Sequence, residues 1–220
     1  MTNKPYPQRK SPRLQGFDYS RPGAYFVTVC TEDRRHFLGT VVDGVMQPTP
    51  AGRMLEDVWF KIVEKYPSVR LDAFIVMPNH IHILIWLTAL QRPPDPDPLD
   101  RQSDDIENAE IDDASIKKIP EPTLSDIMRW YKSYTTALYR HGVVEQNWPP
   151  FPGRLWQRSF YDHIVRRDET LNIIRRYIQQ NPKRWSLDRY HPEPERTDPI
   201  AAEIWRLLQD EENNRGDGSL

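Results

Sequence analysis

Leu71 to Met77 and Ile81 to Leu87 are two apolar runs separated only by Pro78-Asn79 and His80. Both faces of the second run are apolar apart from His80 and His82. A strand that sends apolar side chains to both sides must be covered on both sides, so this run reads as a central, covered strand. The chain must then supply neighbouring strands at its edges and a layer on each face. The polar exceptions are ordered too. Residues i and i+2 of a strand share a face, so His80 and His82 project side by side from a rigid element. Two imidazoles so placed can share one metal ion. Two partly buried histidines satisfied by hydrogen bonds are the other reading of the same spacing.

The flanking sequence supplies the other elements. Ala24 to Thr31, rich in β-branched and aromatic residues, predicts a first strand. Asp43-Gly44 between apolar runs predicts a hairpin. Thr49-Pro50 reads as cap and first residue of a helix carrying Leu55, Val58, Trp59, Ile62, Val63 and Tyr66 and stopped at Pro67. Thr123 caps a second helix with Ile127, Trp130, Tyr131, Tyr134 and Leu138 on one face and Arg129, Lys132 and Arg140 on the other. Residues 142–153 read as a Gly/Pro-rich loop, and Ser159 to Val165 as a strand. Asp168 reads as the cap of a helix running to about Gln180 and closed by Pro182. Asp198-Pro199 opens a terminal helix with Ile204, Leu207 and Leu208. The order β, hairpin, α, β, β, insertion, α, β, α lacks regular alternation. It predicts an α+β fold, an antiparallel sheet flanked by helices and ferredoxin-like in outline, with the topology left open by periodicity.

Charge divides the chain. Residues 91–122 hold 10 acidic and 4 basic side chains and six prolines, and residues 193–220 hold 8 acidic and 3 basic. The remainder holds 23 Lys/Arg against 14 Asp/Glu, although the whole chain is near neutral at −2. A basic body with two acidic appendages suits a polyanion, because Lys/Arg contacts release condensed counterions. An ordinary solvated surface is the alternative. The expected organisation is a basic arm at 1–22, a body at 23–192 with an acidic, Pro-rich insertion at 91–122, and an acidic tail with a short helix at 193–220. The insertion is expected to mask the basic surface or swing away from it, and the tail to cover the 168–180 helix or only aid solubility. A single cysteine, Cys30, excludes an internal disulfide and a multi-cysteine zinc site. Without an apolar start or a long apolar run, a cytoplasmic, non-membrane setting is expected.

Leu171, Ile174 and Ile178 make the apolar stripe of the 168–180 segment, with Tyr177 on its edge and Asn181 one turn further on the same face. Arg175, Arg176, Lys183 and Arg184 surround them. A phenol among cations is a place to hold and attack a phosphate, although its ordinary pKa of ~10 means it needs help. A core tyrosine closing the helix on the sheet is the competing reading. Tyr131 and Tyr161, the latter near His163, are rival nucleophiles. Leu155 to Arg167 interleaves aromatic and basic residues, a pattern that stacks bases and holds phosphates.

Four blocks together resemble the REP-associated tyrosine transposases, within the single-tyrosine HUH transposase superfamily. They are Gly23 to Thr31, Val76-Met-Pro-Asn-His-Ile-His82, Trp156-Gln-Arg-Ser-Phe-Tyr-Asp-His-Ile-Val-Arg166 and Ile174-Arg-Arg-Tyr-Ile-Gln-Gln-Asn-Pro182. They stand in the family's order. The resemblance implies that His80 and His82 bind a divalent metal, Mg²⁺ or Mn²⁺. It implies that Asn181 completes the site through its amide oxygen and that Tyr177 is the nucleophile. Nicking of single-stranded DNA through a 5′-phosphotyrosine link, and rejoining without ATP, follow for palindromic repeat hairpins. Arg13, Arg129, Lys132, Arg158, Arg166, Arg175 and Arg176 are the expected DNA-backbone contacts, and Trp156, Phe160 and Tyr161 the expected stacking residues. The functional alternatives are a silent, domesticated hairpin-binding protein and a metal-dependent phosphodiester hydrolase. A monomer and a homodimer both remain open.

Overall fold

The computed structural model describes residues 20–89 and 121–213, the side chains of 212 and 213 excepted. Arg13 and nearly all of the 91–122 insertion lie outside the described residues.

Four antiparallel strands form the main sheet: β1 (Gly23–Cys30), β4 (Val69–Met77), β5 (His80–Leu87) and β6 (Tyr161–Val165). Their order is β4-β5-β1-β6, so the two long strands at the centre are β5 and β1. With helices after the first and third of these strands, this is the ferredoxin-like arrangement and an α+β fold. β5 is central, as its two apolar faces require, and pairs along its length with β1 from Gly23↔Leu87 to Cys30↔His80. Pro78-Asn79 turn β4 directly into β5, and the β4 register shifts between Leu71 and Ala73. The separate hairpin of β2 (Gly39–Val42) and β3 (Val45–Pro48) turns at Asp43 and Gly44, with φ of 51° and 72°. Asp and Gly are the residues that tolerate such angles.

Each face of the sheet buries one pair of helices. On the first, Tyr25, Val27, Val29, Ile81, Ile83 and Ile85 meet α1 (Pro50–Lys65) and α2 (Leu124–Glu145). Thr49 caps α1 by accepting from the Gly52 amide, and Thr123 with Asp126 forms a reciprocal capping box on α2. On the second face, Phe26 and Leu84 meet α3 (Asp168–Gln180) and α4 (Pro199–Asn213) through Leu171, Ile174, Ile178, Ile204 and Leu208. Each fully buried Leu or Ile contributes about 1.5–3 kcal/mol, so both helix pairs are held chiefly by their stripes.

Three sequence expectations need correction. α2 does not stop at residue 142 but runs to Glu145. Gly142 lies inside the helix, where its missing side chain leaves room for the Trp148 ring, 2.3 Å from the place of an ideal Cβ. Asp168 is the first residue of α3 rather than its cap; Arg167 holds the cap position with no side-chain hydrogen bond. Trp156 and Phe160 do not present rings for stacking. They are 3% and 6% exposed and belong to the first core, and the Trp156 indole N–H donates to Thr135.

Candidate metal and tyrosine site

The strand parity that sends Ile81 and Ile83 to the first core sends His80 and His82 to the second face, beneath α3. Their Nε2 atoms stand 3.1 Å apart. Asn79 fixes the first ring. Its amide nitrogen donates to the carbonyls of Tyr190 (2.8 Å) and Arg34 (3.3 Å), so its oxygen must be the atom 2.9 Å from His80 Nδ1. His80 Nδ1 is therefore the donor, and the neutral ring presents its Nε2 lone pair to the site. Thr28, opposite His82 on β1, holds His82 Nδ1 at 2.9 Å. Burial lowers the His80 pKa from 6.5 to about 3 and lowers His82 well below its ordinary value as well. Both rings are therefore neutral at pH 7 and fit as ligands.

Tyr177 and Asn181 reach the same place from the end of α3. The Tyr177 ring centre is 5.2 Å from that of His82 and meets Phe26 edge-on. A 3₁₀ turn, Asn181–Leu187, folds the chain back and delivers Asp188. Asp188 Oδ2 accepts from the Tyr177 hydroxyl at 3.4 Å and the Asn181 amide at 3.2 Å, and lies 3.9 Å from His80 Nε2. Its Oδ1 accepts from the Tyr190 amide at 2.7 Å. With His80 neutral, the 3.9 Å contact is not an ion pair. Burial, and next the Asp188 charge, hold the Tyr177 phenol well above its ordinary value of 10.

The donor set fits a divalent cation. His80, His82 and Asp188 each offer a ligand atom within 4.8 Å of the others, and all three are buried. Asn181 Oδ1 is buried with no hydrogen-bond partner, an arrangement that costs stability unless a cation fills the gap. Two nitrogens with two oxygens suit Mg²⁺ or Mn²⁺ better than a thiolate-seeking metal.

Asp188 escaped the sequence reading, as did the clamping role of Asn79 and the roof formed by Tyr190, whose ring centre is 4.7 Å from that of His80. Asp188 lies beyond the helix, in a stretch without periodicity. Its one local signal is Asp-x-Tyr, in which a carboxylate accepts from the amide two residues on. Of the rival tyrosines, Tyr131 is on the wrong face of the sheet, donating to the Leu55 carbonyl in the first core. Tyr161 pairs with Thr28, on the correct face, under the Arg189 guanidinium.

The expected DNA contacts are scattered. Arg129, Arg158 and Arg176 are exposed, although Arg129 pairs with Asp126. Lys132 donates to the carbonyls of Gln157 and Arg158. Arg166 donates to the Glu211 carbonyl, and Arg175 forms a two-pronged pair with Asp72 at the β4 irregularity.

Comparison with known proteins meets the site at this point. Residues 114–181 match the family of IS200-like transposases. The resemblance read from the sequence and this match agree on the family. The IS200-like segment contains Tyr177 and Asn181; His80 and His82 precede it. An uncharacterized protein of Haemophilus influenzae is 29% identical over 183 residues, 83% of this chain and 93% of that protein. Among solved structures, a REP-associated tyrosine transposase bound to a REP hairpin is similar at 18% identity and a TM-score of 0.46, covering 89% of this chain and 87% of that one. A transposase-like protein of Deinococcus radiodurans R1 is similar at 18% identity and a TM-score of 0.36, covering 76% and 95%. Among the described residues no helix is long and apolar enough to cross a membrane.

Proposed function

We propose that this chain nicks and rejoins single-stranded DNA beside a hairpin, through a covalent 5′-phosphotyrosine link on Tyr177. One observation carries the reading. The phenol of Tyr177 and the imidazoles of His80 and His82, from different elements, converge on the Asp188 carboxylate. His80, His82, Asp188 and Asn181 would hold Mg²⁺ or Mn²⁺. A divalent ion there would draw charge from the phosphoryl oxygens and orient the ester.

The chain's own groups do the rest. Asp188 accepts the phenol proton as the Tyr177 oxygen bonds to phosphorus. The P–O3′ bond breaks, and the 3′ oxygen leaves as a hydroxyl after taking a proton from solvent. Attack by a 3′-hydroxyl on the tyrosine ester reverses the process without ATP. Asn79 holds His80 in the tautomer that turns its Nε2 lone pair to the site and Thr28 orients the His82 ring, so positioning and charge account for most of the rate. Exposed Arg129, Arg158 and Arg176, with Arg13 of the arm, supply backbone contacts.

One observation favours a second reading, a hairpin-binding protein that does not cut. His80, His82, Tyr177 and Asn181 are each at most 5% exposed: Trp185 and Tyr190 lie against His80, and Tyr190 with α4 encloses the small cavity beside His82 and Tyr177. Cutting therefore requires this cover to move. The deciding experiment incubates the protein with a hairpin oligonucleotide bearing a single-stranded flank and Mg²⁺ or Mn²⁺, then runs a denaturing gel. A protein–DNA adduct absent from Tyr177→Phe is the expected result. Cleavage that survives the substitution would assign the reaction to water or to Tyr161, and binding without cleavage would establish the second reading.

A further inference from the structure

A half-buried arginine, Arg189, borders the sealed site directly after Asp188. The backbone on both sides of it is pinned. Asp188 Oδ1 accepts from the Tyr190 amide at 2.7 Å, and the Asn79 side-chain amide donates to the Tyr190 carbonyl at 2.8 Å. The Arg189 carbonyl accepts from the Arg34 guanidinium at 3.3 Å. Rings then steer the side chain. The Arg189 guanidinium carbon lies 5.2 Å from the ring centre of Tyr190, 5.6 Å from that of Tyr161 and 5.6 Å from that of Trp205. Tyr161 belongs to β6 and Trp205 to α4. With Thr28, His82 and Tyr177, Arg189 borders a cavity of about 30 Å³. Among the described residues that line this cavity it is the only permanently charged one. After burial, the largest cause, its charge is among those that lower the pKa of both His80 and His82.

We propose that Arg189 is a further catalytic residue, whose guanidinium donates to a nonbridging oxygen of the ester that Tyr177 attacks. The inference rests on the function proposed above and adds a fixed positive charge that the chain itself brings to the reacting group. As the Tyr177 oxygen bonds to phosphorus and the P–O3′ bond breaks, negative charge gathers on the two nonbridging oxygens. Asp188 takes the phenol proton, and His80 and His82 are neutral, so none of these side chains offsets that charge. A guanidinium does so at any working pH, and its planar fork of five N–H donors is not exhausted by one partner. Contacts to ring faces set the plane of the fork while its edge serves hydrogen bonds. Trp205 is the ring that the cover contributes. Once the cover moves, Tyr161 and Tyr190 still hold Arg189, and the oxyanion has room to enter. Tyr161 thereby gains a role other than nucleophile: its ring, not its hydroxyl, is what Arg189 needs.

The test measures single-turnover adduct formation by the full chain at saturating Mn²⁺ and saturating hairpin oligonucleotide with a single-stranded flank. Arg189→Met, which keeps the bulk and loses the charge, should slow adduct formation roughly 100-fold while hairpin affinity stays within about twofold. Arg189→Lys should recover part of the rate, because a point charge replaces the fork. Tyr161→Leu should slow the adduct by roughly threefold or more, and Tyr161→Phe, which keeps the ring, should restore most of that loss. In both Arg189 variants the melting temperature and the calorimetric Mn²⁺ affinity without DNA should not fall, a result that a merely structural arginine would not give. An Arg189→Met rate equal to wild type would overturn the proposal, and so would a rate loss that tracks lower Mn²⁺ affinity in both Arg189 variants. Loss of the adduct in Tyr161→Phe would assign chemistry to that hydroxyl and overturn the platform. Wild type that forms no adduct removes the function reading itself. Wild type and Arg189→Met forming it equally fast removes only the role of Arg189.

Discussion

The two polar regions of this molecule are built in opposite ways. On one face of the sheet, a cleft of about 290 Å³ between α2 and the segment 153–158 stands open to solvent, lined by Lys132, Arg140, Arg154 and Arg158. On the other, two histidines, a carboxylate, an amide and a phenol are sealed under α3 and α4, each positioned by a named hydrogen bond. The open region can meet a long polyanion without preparation. The closed region keeps neutral ligands and a protonated phenol out of water, where neither can react. Recognition and chemistry are thus separable, and substitutions should divide them.

The largest effects belong to the closed site. Tyr177→Phe should abolish the covalent adduct, since no other hydroxyl donates to Asp188 among the described residues. His80→Ala and His82→Ala should abolish cleavage while hairpin affinity stays within a few-fold, because neither ring lines the open cleft. Affinity lost together with cleavage would mean that the histidines hold up the binding surface, and the separation would fail. Asp188→Asn should weaken Mn²⁺ binding, measured by calorimetry without DNA.

Next comes the cover. Asp198 caps α4 by accepting from the Ile200 amide at 2.9 Å, and it also pairs with Arg184 of the 3₁₀ turn that begins at Asn181. Asp198→Ala removes the cap and the pair. Stability should fall by roughly 2 kcal/mol, yet adduct formation at low temperature should rise several-fold as α4 loosens. Hairpin affinity should not change. A parallel fall in stability and adduct would show that α4 supports the site and does not restrain it.

How much of this was legible in the sequence follows from the same division. The apolar faces of Ile81 to Leu87 fixed a central strand, and strand parity then placed both histidines on one side. Helical spacing put Asn181 one turn beyond Tyr177. Thr49, Thr123 and Asp43-Gly44 announced their caps and turn through local chemistry. Asp188 carried only the weak signal of its own turn with Tyr190, and nothing local told that the 3₁₀ fold-back would deliver it beside Asn79 and His80. The aromatic and basic alternation of Leu155 to Arg167 misled for a related reason. Strand parity would put Trp156, Arg158 and Phe160 on one face, but residues 157–160 are not in a strand, and the irregular backbone turns the two rings into the core while Arg158 stays exposed. The cleft needed two segments far apart in sequence, α2 and residues 153–158, to be brought together.

The pH dependence of stability gives an intermediate effect with a definite sign. Burial holds His80 at about 3 and His82 well below 6.5 in the folded chain. Between those values and 6.5 the unfolded chain binds protons that the folded chain does not. The stability contribution is complete above about pH 6.5 and is lost as pH falls. The melting temperature should drop from pH 7 to pH 5, and His82→Gln should make that slope shallower. Mn²⁺ should raise the melting temperature at pH 7 and do so less at pH 5, since protonated imidazole cannot bind it. A wild-type slope unchanged in His82→Gln would place the titrating groups elsewhere.

The smallest effect tests whether Arg175 belongs to recognition or to the fold. Its guanidinium lies 2.7–2.8 Å from both oxygens of Asp72, and Asp72 also accepts from the Trp86 indole at 2.8 Å. The hydrogen bond from Arg175 holds the Asp72 carboxyl below its usual value of 3.8. That stabilisation is present above pH 3.8 and is lost as pH falls through the lowered value. Asp72→Asn should lower stability by only about 0.5–1 kcal/mol at pH 7, because the pair is partly exposed and screened, and the difference from wild type should shrink toward pH 3. Arg175→Ala should match it in stability and leave hairpin affinity within about twofold, whereas Arg176→Ala, which removes an exposed cation, should lower affinity and the salt slope by about 1. If Arg175→Ala instead weakens hairpin binding as Arg176→Ala does, the guanidinium leaves Asp72 for the DNA, and Arg175 joins Arg176 as a backbone contact on α3.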